Sequence, residues 1–179
     1  MKILVVIKKI STWTKNKRKT FTWSDWFFVA IIIFTIATRL PLFIEQFNKQ
    51  GKIFSPIEVN GKSFPPMGEK SVLVFWASWC GPCTLELNRI NSAIDKKEFS
   101  PANIYAVNMG ESKEVVDREI RKRKYNFAIV SDDRNELANS LNVKVTPTIA
   151  FISKSGKIEW LSSGISPLLI YRIQSFFKD

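Results

Sequence analysis

The sequence has no histidine, and its only cysteines are Cys80 and Cys83. A structural zinc site takes four nitrogen or sulfur ligands. A lone C-x-x-C without histidine or a second cysteine pair does not supply them, so no metal site is expected. The N-terminal region lacks cysteine altogether, which argues against a lipoprotein-type thioether anchor. Acidic side chains are also few: 16 Asp and Glu stand against 27 Lys and Arg, a net charge of +11. The excess is uneven, since residues 1–50 carry nine Lys/Arg against Asp25 and Glu45, and residues 51–179 carry eighteen against fourteen. A basic excess gathered in a tail argues for membrane topology and against a nucleic-acid face, so no nucleic-acid partner is expected. Hydrophobic residues make up 45% of 179 positions, enough for one ordinary domain and something extra.

That something is the N-terminal region. Lys2, Lys8, Lys9, Lys15, Lys17, Arg18 and Lys19 precede Trp26 to Thr38, thirteen residues without a charge. Arg39 interrupts, and Leu40 to Ile44 resumes the apolar character. A membrane-spanning helix needs about twenty mostly apolar residues. Trp23 to Ile44 supplies them with Asp25 and Arg39 near the ends, where long side chains snorkel. Trp23 and Trp26 suit an interfacial aromatic belt. Thirteen apolar residues also fit the core of a cleavable signal peptide. The long basic segment and the apolar character beyond Ala37 favour an uncleaved signal anchor. The expected organisation is a cytoplasmic basic tail at 1–22, a transmembrane anchor at 23–44, a linker at 45–52 and a folded domain at 53–179. The lipid bilayer is then one partner of the chain, and the domain lies on the outer side of the cytoplasmic membrane, facing a periplasm or the cell exterior.

The stretch that organises the domain is Ser71 to Cys83. Val72 to Trp76 reads as a short buried strand. It runs into Trp79-Cys80-Gly81-Pro82-Cys83 and then into Thr84 to Ile90, which has helical composition. The first cysteine falls where the helix begins, beside backbone N–H groups with no helical partner and the positive end of the dipole. Both favour thiolate over thiol, so Cys80 is expected to have a lowered pKa and to be the nucleophile. Cys83, one turn on, is close enough to close a small disulfide ring.

This arrangement resembles the thioredoxin-like thiol–disulfide oxidoreductases. Phe75-Trp76-Ala77, Trp79 before Cys80, the Gly81-Pro82 dipeptide and a later Thr146-Pro147-Thr148 all match that family. The resemblance implies a thioredoxin-like α/β fold, a cis Thr146–Pro147 bond, and substrate binding by Trp79, Thr146 and Pro147 through strand-like pairing. It implies no cofactor beyond the redox-active Cys80–Cys83 disulfide. Phe54 to Phe64 alternates around Asn60-Gly61, a strong hairpin signal. Thioredoxin itself has no such hairpin, but the membrane-anchored TlpA/ResA/CcmG-like group commonly does. That group also carries a glutamate three residues after the second cysteine, where Glu86 stands here, and the likeness implies a role for it in cysteine protonation. Two departures accompany the match: Val74 replaces the buried aspartate of thioredoxin, and Asn88 replaces a family proline. With Val74 in place, Glu86 is the only nearby acid for proton transfer.

The remaining elements follow in order. The active-site helix is expected to reach about Lys97 with Leu85, Leu87, Ile90 and Ile94 inward. Then come a strand at 104–108, a helix from Ser112 to near Tyr125, a strand at 127–130 and a helix at 135–141 behind an Asp132-Asp133 capping turn. A strand at 148–152, a hairpin into 157–161, and a final helix to Phe177 with Leu168, Leu169, Ile173 and Phe176 inward complete the domain. Arg121 to Lys124 is read as a solvated helix end.

The expected activity is reduction of disulfides in extracytoplasmic proteins. Gly-Pro between the cysteines is the dipeptide of strongly reducing thioredoxin, whereas strong oxidants commonly have a histidine there. The partners are substrate proteins with disulfides, such as those of cytochrome c maturation, and a membrane-embedded thiol electron donor. Alternatives are a disulfide oxidase, a copper-handling dithiol protein, and a tethered binding module with an incidental dithiol.

Overall fold

The computed structural model describes residues 22–178 apart from Asn60. The basic tail up to residue 21 and the asparagine of the Asn60-Gly61 turn therefore lie outside the described residues. The chain divides into two compact units, Met1–Phe43 and Ile44–Asp179.

Helix α1 spans Trp23–Lys49. At its start the Thr22 N–H and hydroxyl both donate to Asp25 Oδ2 at 2.8 Å, an acidic cap at the positive end of the dipole. The hydroxyls of Thr35 and Thr38 donate back to the carbonyls of Ile31 and Phe34, which satisfies them within the helix itself. Phe27, Phe28, Ile32, Ile33, Phe34 and Ile36 are all exposed. Among the described residues, no helix is long and apolar enough to cross a membrane.

The stretch expected as a linker, 45–52, is mostly regular structure. Helix α1 continues through Lys49, whose ammonium donates to the Leu141 carbonyl. Gly51 N–H donates to Ile158 O, Ile158 N–H to Lys52 O, and Phe54 N–H to Gly156 O. This strand-like pairing is possible because Gly156 adopts φ +79° and an added Cβ would come within 2.8 Å of Phe54 O.

Among its described residues the second unit holds seven strands: β1 Ile57–Val59, β2 Lys62–Phe64, β3 Ser71–Trp76, β4 Ile104–Met109, β5 Ala128–Asp132, β6 Thr148–Ile152 and β7 Ile158–Ser163. β1 and β2 pair as the expected hairpin, with Val59 opposite Lys62. The other five form one sheet in the order β5-β4-β3-β6-β7, parallel between β3, β4 and β5 and antiparallel at β6 and β7. Residues 51–54 thus cover the edge of β7, which otherwise presents unpaired backbone groups.

The helices are α2 Gly81–Asp95, α3 Lys113–Arg123, α4 Glu136–Ser140 and α5 Leu169–Lys178. Every residue of β3 is buried, which is why it reads as an unbroken apolar run: both faces are covered. Val72, Val74 and Trp76 pack with residues of α2, α3 and α5, while Leu73 and Phe75 pack with α4 and the hairpin.

The structure corrects the sequence reading at several helix faces and strand ends. Helix α2 buries Cys83, Glu86, Leu87, Ile90 and Ala93, a spacing of three and four residues. Leu85, expected inward, is half exposed, and Ile94 is only partly covered. Helix α5 buries Leu169, Ile173 and Phe176, but Leu168 is exposed. Strands β5 and β7 run two residues further than expected. Of the Asp132-Asp133 pair, Asp132 does the capping: it is buried and accepts the N–H groups of Leu137 and Ala138. In the basic end of α3, Arg123 and Lys122 pair with Glu119. The hydrogen bond from Arg123 holds the Glu119 carboxyl below the ordinary glutamate value, with burial opposing it.

Candidate active site

Strand β3 delivers the chain to Ala77, and Ala77-Ser78-Trp79 bridges it to α2. Cys80 is the N-cap of that helix, with extended dihedrals (φ −86°, ψ 97°), and its sulfur accepts the Cys83 N–H at 3.2 Å. A thiolate at this atom would therefore meet a helix N–H and the positive end of the dipole. Pro82 sits in the first turn, where its missing N–H costs nothing. The two cysteines are joined in a disulfide, Cα–Cα 5.3 Å. Cys83 has no exposed surface and Cys80 only 4%, whereas Trp79 beside them is 78% exposed. An added Cβ at Gly81 would meet nothing within 4 Å, so the motif is open on that side.

The Thr146–Pro147 bond is cis. β6 pairs with β3 so that Thr148 lies opposite Phe75, which brings Thr146 and Pro147 to the same end of the sheet as the cysteines. Thr148 Oγ1 donates to the Val145 carbonyl at 2.7 Å, and Gly164 N–H donates to Pro147 O at 2.7 Å. The turn is thus braced from both sides.

Glu86 lies one turn beyond Cys83 and is wholly buried. Its Oε1 accepts the Ser166 N–H at 2.6 Å and its Oε2 accepts Arg89 at 2.8 Å. A buried carboxylate survives only with such partners.

Sequence reasoning missed Glu111. It follows β4, 33 positions from the loop it supports, and takes the Ser78 N–H at 2.7 Å and the Ser78 hydroxyl at 2.5 Å. It also accepts Asn108 Nδ2 at 2.6 Å. One carboxylate therefore braces the residue that precedes Trp79. The signal available was position: in open α/β sheets, functional groups gather at the carboxyl ends of strands, and Asn108 to Glu111 is such an end. Glu111→Ala is expected to strand three donors and to destabilise the domain by about 1–3 kcal/mol, with slower disulfide exchange; Glu111→Gln keeps an acceptor and should cost less. Urea denaturation of the two variants checks this, and equal stability of Glu111→Ala and the native chain would show that the brace carries no weight.

The match to known proteins covers this module and most of the chain around it. The AhpC/TSA family model matches residues 41–161. The chain belongs to this family. A thioredoxin-like protein of Haemophilus influenzae is 30% identical over 158 residues, covering 85% of this chain and 89% of that one. The thiol–disulfide oxidoreductase ResA of Geobacillus kaustophilus is 32% identical over 97 residues, covering 54% of this chain and 56% of that one. The crystal structure of StoA from Bacillus subtilis superposes with a TM-score of 0.57 at 27% identity, covering 72% of this chain and 97% of that one. This family member has the thioredoxin-like α/β fold and is a thiol–disulfide oxidoreductase of the ResA type, with Cys80 and Cys83 as its redox-active pair.

Proposed function

We propose that the chain is a membrane-tethered reductase of disulfides in extracytoplasmic proteins. The observation that carries the chemistry is the Cys80 sulfur at the N-cap of α2, accepting the Cys83 N–H. In the reduced enzyme the Cys80 thiolate attacks a substrate disulfide; one substrate sulfur leaves as a thiolate and a mixed disulfide forms. Cys83 then loses its proton to Glu86 and attacks Cys80, which releases the second substrate thiolate and restores the Cys80–Cys83 disulfide. Substrate is oxidant, protein dithiol is reductant, and two electrons pass. Trp79 offers the substrate an exposed apolar surface, and the backbone of Thr146, ahead of the cis bond to Pro147, offers strand-like hydrogen bonds.

Tethering is supported by the basic tail, by the thirteen uncharged residues 26–38 within α1 and by the exposed apolar side chains they carry. Outside the cytoplasm the disulfide would be re-reduced by a dithiol carrier in the membrane. The reducing direction is supported by Gly81-Pro82 and the absence of histidine. Titration of the full chain against redox buffers tests it: the midpoint is expected nearer to thioredoxin, about −270 mV, than to DsbA, about −120 mV. A midpoint above roughly −180 mV, the value of protein disulfide isomerase, would make the chain an oxidase.

A further inference from the structure

Arg89 does more than pair with Glu86. Its Nη1 reaches Glu86 Oε2 at 2.8 Å and the Ser166 carbonyl at 3.0 Å, and its Nη2 reaches the Pro167 carbonyl at 2.9 Å. One guanidinium therefore ties a carboxylate on α2 to two successive carbonyls of the loop before α5. The same loop returns Ser166 N–H to Glu86 Oε1 at 2.6 Å and supplies Gly164 N–H to Pro147 O at 2.7 Å. The side chain of Glu86 is fully buried and that of Arg89 is 30% exposed, so the pair is screened from water on the carboxylate side only.

We propose that Arg89 is a positioning residue for the resolving step, holding the Glu86 carboxylate in place as proton acceptor for Cys83 and locking it to the loop that backs Pro147. The proposal rests on the reading of Glu86 as that acceptor. Glu86 shares the buried face of α2 with Cys83, one turn before it, and its carboxylate is held by Arg89 on the same helix and by the Ser166 N–H from the loop. Among the described residues, no other Lys or Arg lies within 4 Å of it. The step it serves moves the Cys83 proton to the carboxylate. The sulfur electron pair forms the bond to Cys80, and the bond from Cys80 to the substrate sulfur breaks, with that sulfur leaving as a thiolate. A neutral side chain at position 89 removes the cation paired with the acceptor, so the step should then require a higher pH. A guanidinium that only ties α2 to the loop would change stability and leave the pH dependence where it was.

The test uses reduced full-chain protein in detergent micelles, mixed once with glutathione disulfide across a pH series. Release of the second glutathione reports resolution. Native protein is expected to show an acid limb. In Arg89→Gln, and in Arg89→Met as a second neutral variant, the limb moves to higher pH. Arg89→Lys keeps the charge without the planar fork and should bring the limb back toward its native position. Glu86→Gln is expected to abolish the limb, and Glu86→Gln with Arg89→Gln to match Glu86→Gln alone. The double variant leaves no buried carboxylate unpaired, so it remains informative where the single change at Arg89 harms folding. If Glu86→Gln removes the limb but neither neutral variant at Arg89 moves it, Arg89 is a structural tie and the proposal is overturned. If Glu86→Gln leaves the limb in place, the reading of Glu86 fails, and the proposal with it.

Discussion

Cys80→Ser is expected to abolish disulfide exchange, lowering turnover by at least about three orders of magnitude, the scale on which loss of a covalent nucleophile registers. Cys83→Ala should behave differently. The remaining Cys80 thiolate still attacks, but nothing resolves the product, so mixed disulfides accumulate and can be captured and identified. The geometry sets this order of events. Cys80 is the N-cap, with its sulfur on a helix N–H and 4% of its surface exposed, whereas Cys83 lies inside the first turn with none. A substrate sulfur can reach the first and not the second. Insulin reduction measures the loss, and mass spectrometry of trapped adducts from an extracytoplasmic extract names the clients. Adducts on Cys83 in a Cys80→Ser chain, at the yield seen on Cys80 in Cys83→Ala, would reverse the assignment.

Leu87→Ala should cost the domain about 2–5 kcal/mol, a large part of the about 5–15 kcal/mol that holds a typical domain folded. Leu87 has no exposed surface and packs in the cluster that contains Trp76, Cys80, Cys83, Ile90 and Leu169. Removing its side chain opens a cavity directly beneath the active-site turn. Leu85, two residues earlier, is 49% exposed, so Leu85→Ala should cost about 1 kcal/mol or less. The two substitutions delete the same atoms from the same helix and differ only in which way the side chain points. Urea denaturation followed by tryptophan fluorescence separates them. Equal losses would mean that α2 is rotated from the position described, and that Glu86 does not face inward.

That rotation marks where sequence reasoning stopped. Leucines at 85 and 87 are indistinguishable by hydropathy, and a glutamate at 86 argues for solvent. The buried stripe runs instead through 83, 86, 87, 90 and 93, because Ser166 and Arg89 satisfy the Glu86 carboxylate inside the protein. Ser166 is 80 positions further along the chain. No local pattern carries that information. The same holds for Glu111, which supports the Cys80 loop from the end of a neighbouring strand, and for Gly51 to Phe54. A polar linker composition gave no hint that those residues would pair along β7.

What the amino-acid sequence determined by itself was local and chemical. An apolar run, a C-x-x-C at the start of a helical stretch and a Thr-Pro before a second strand are read within a few residues, since capping, dipole and strand burial act over that distance. These were enough to single out the cysteine pair and to read the fold. The tertiary structure decided which buried charge is satisfied and by whom. Glu86 needs Arg89 and a loop from beyond β7, and Ser78 needs Glu111 from the end of β4, partners that only the assembled sheet and helices bring within hydrogen-bond reach.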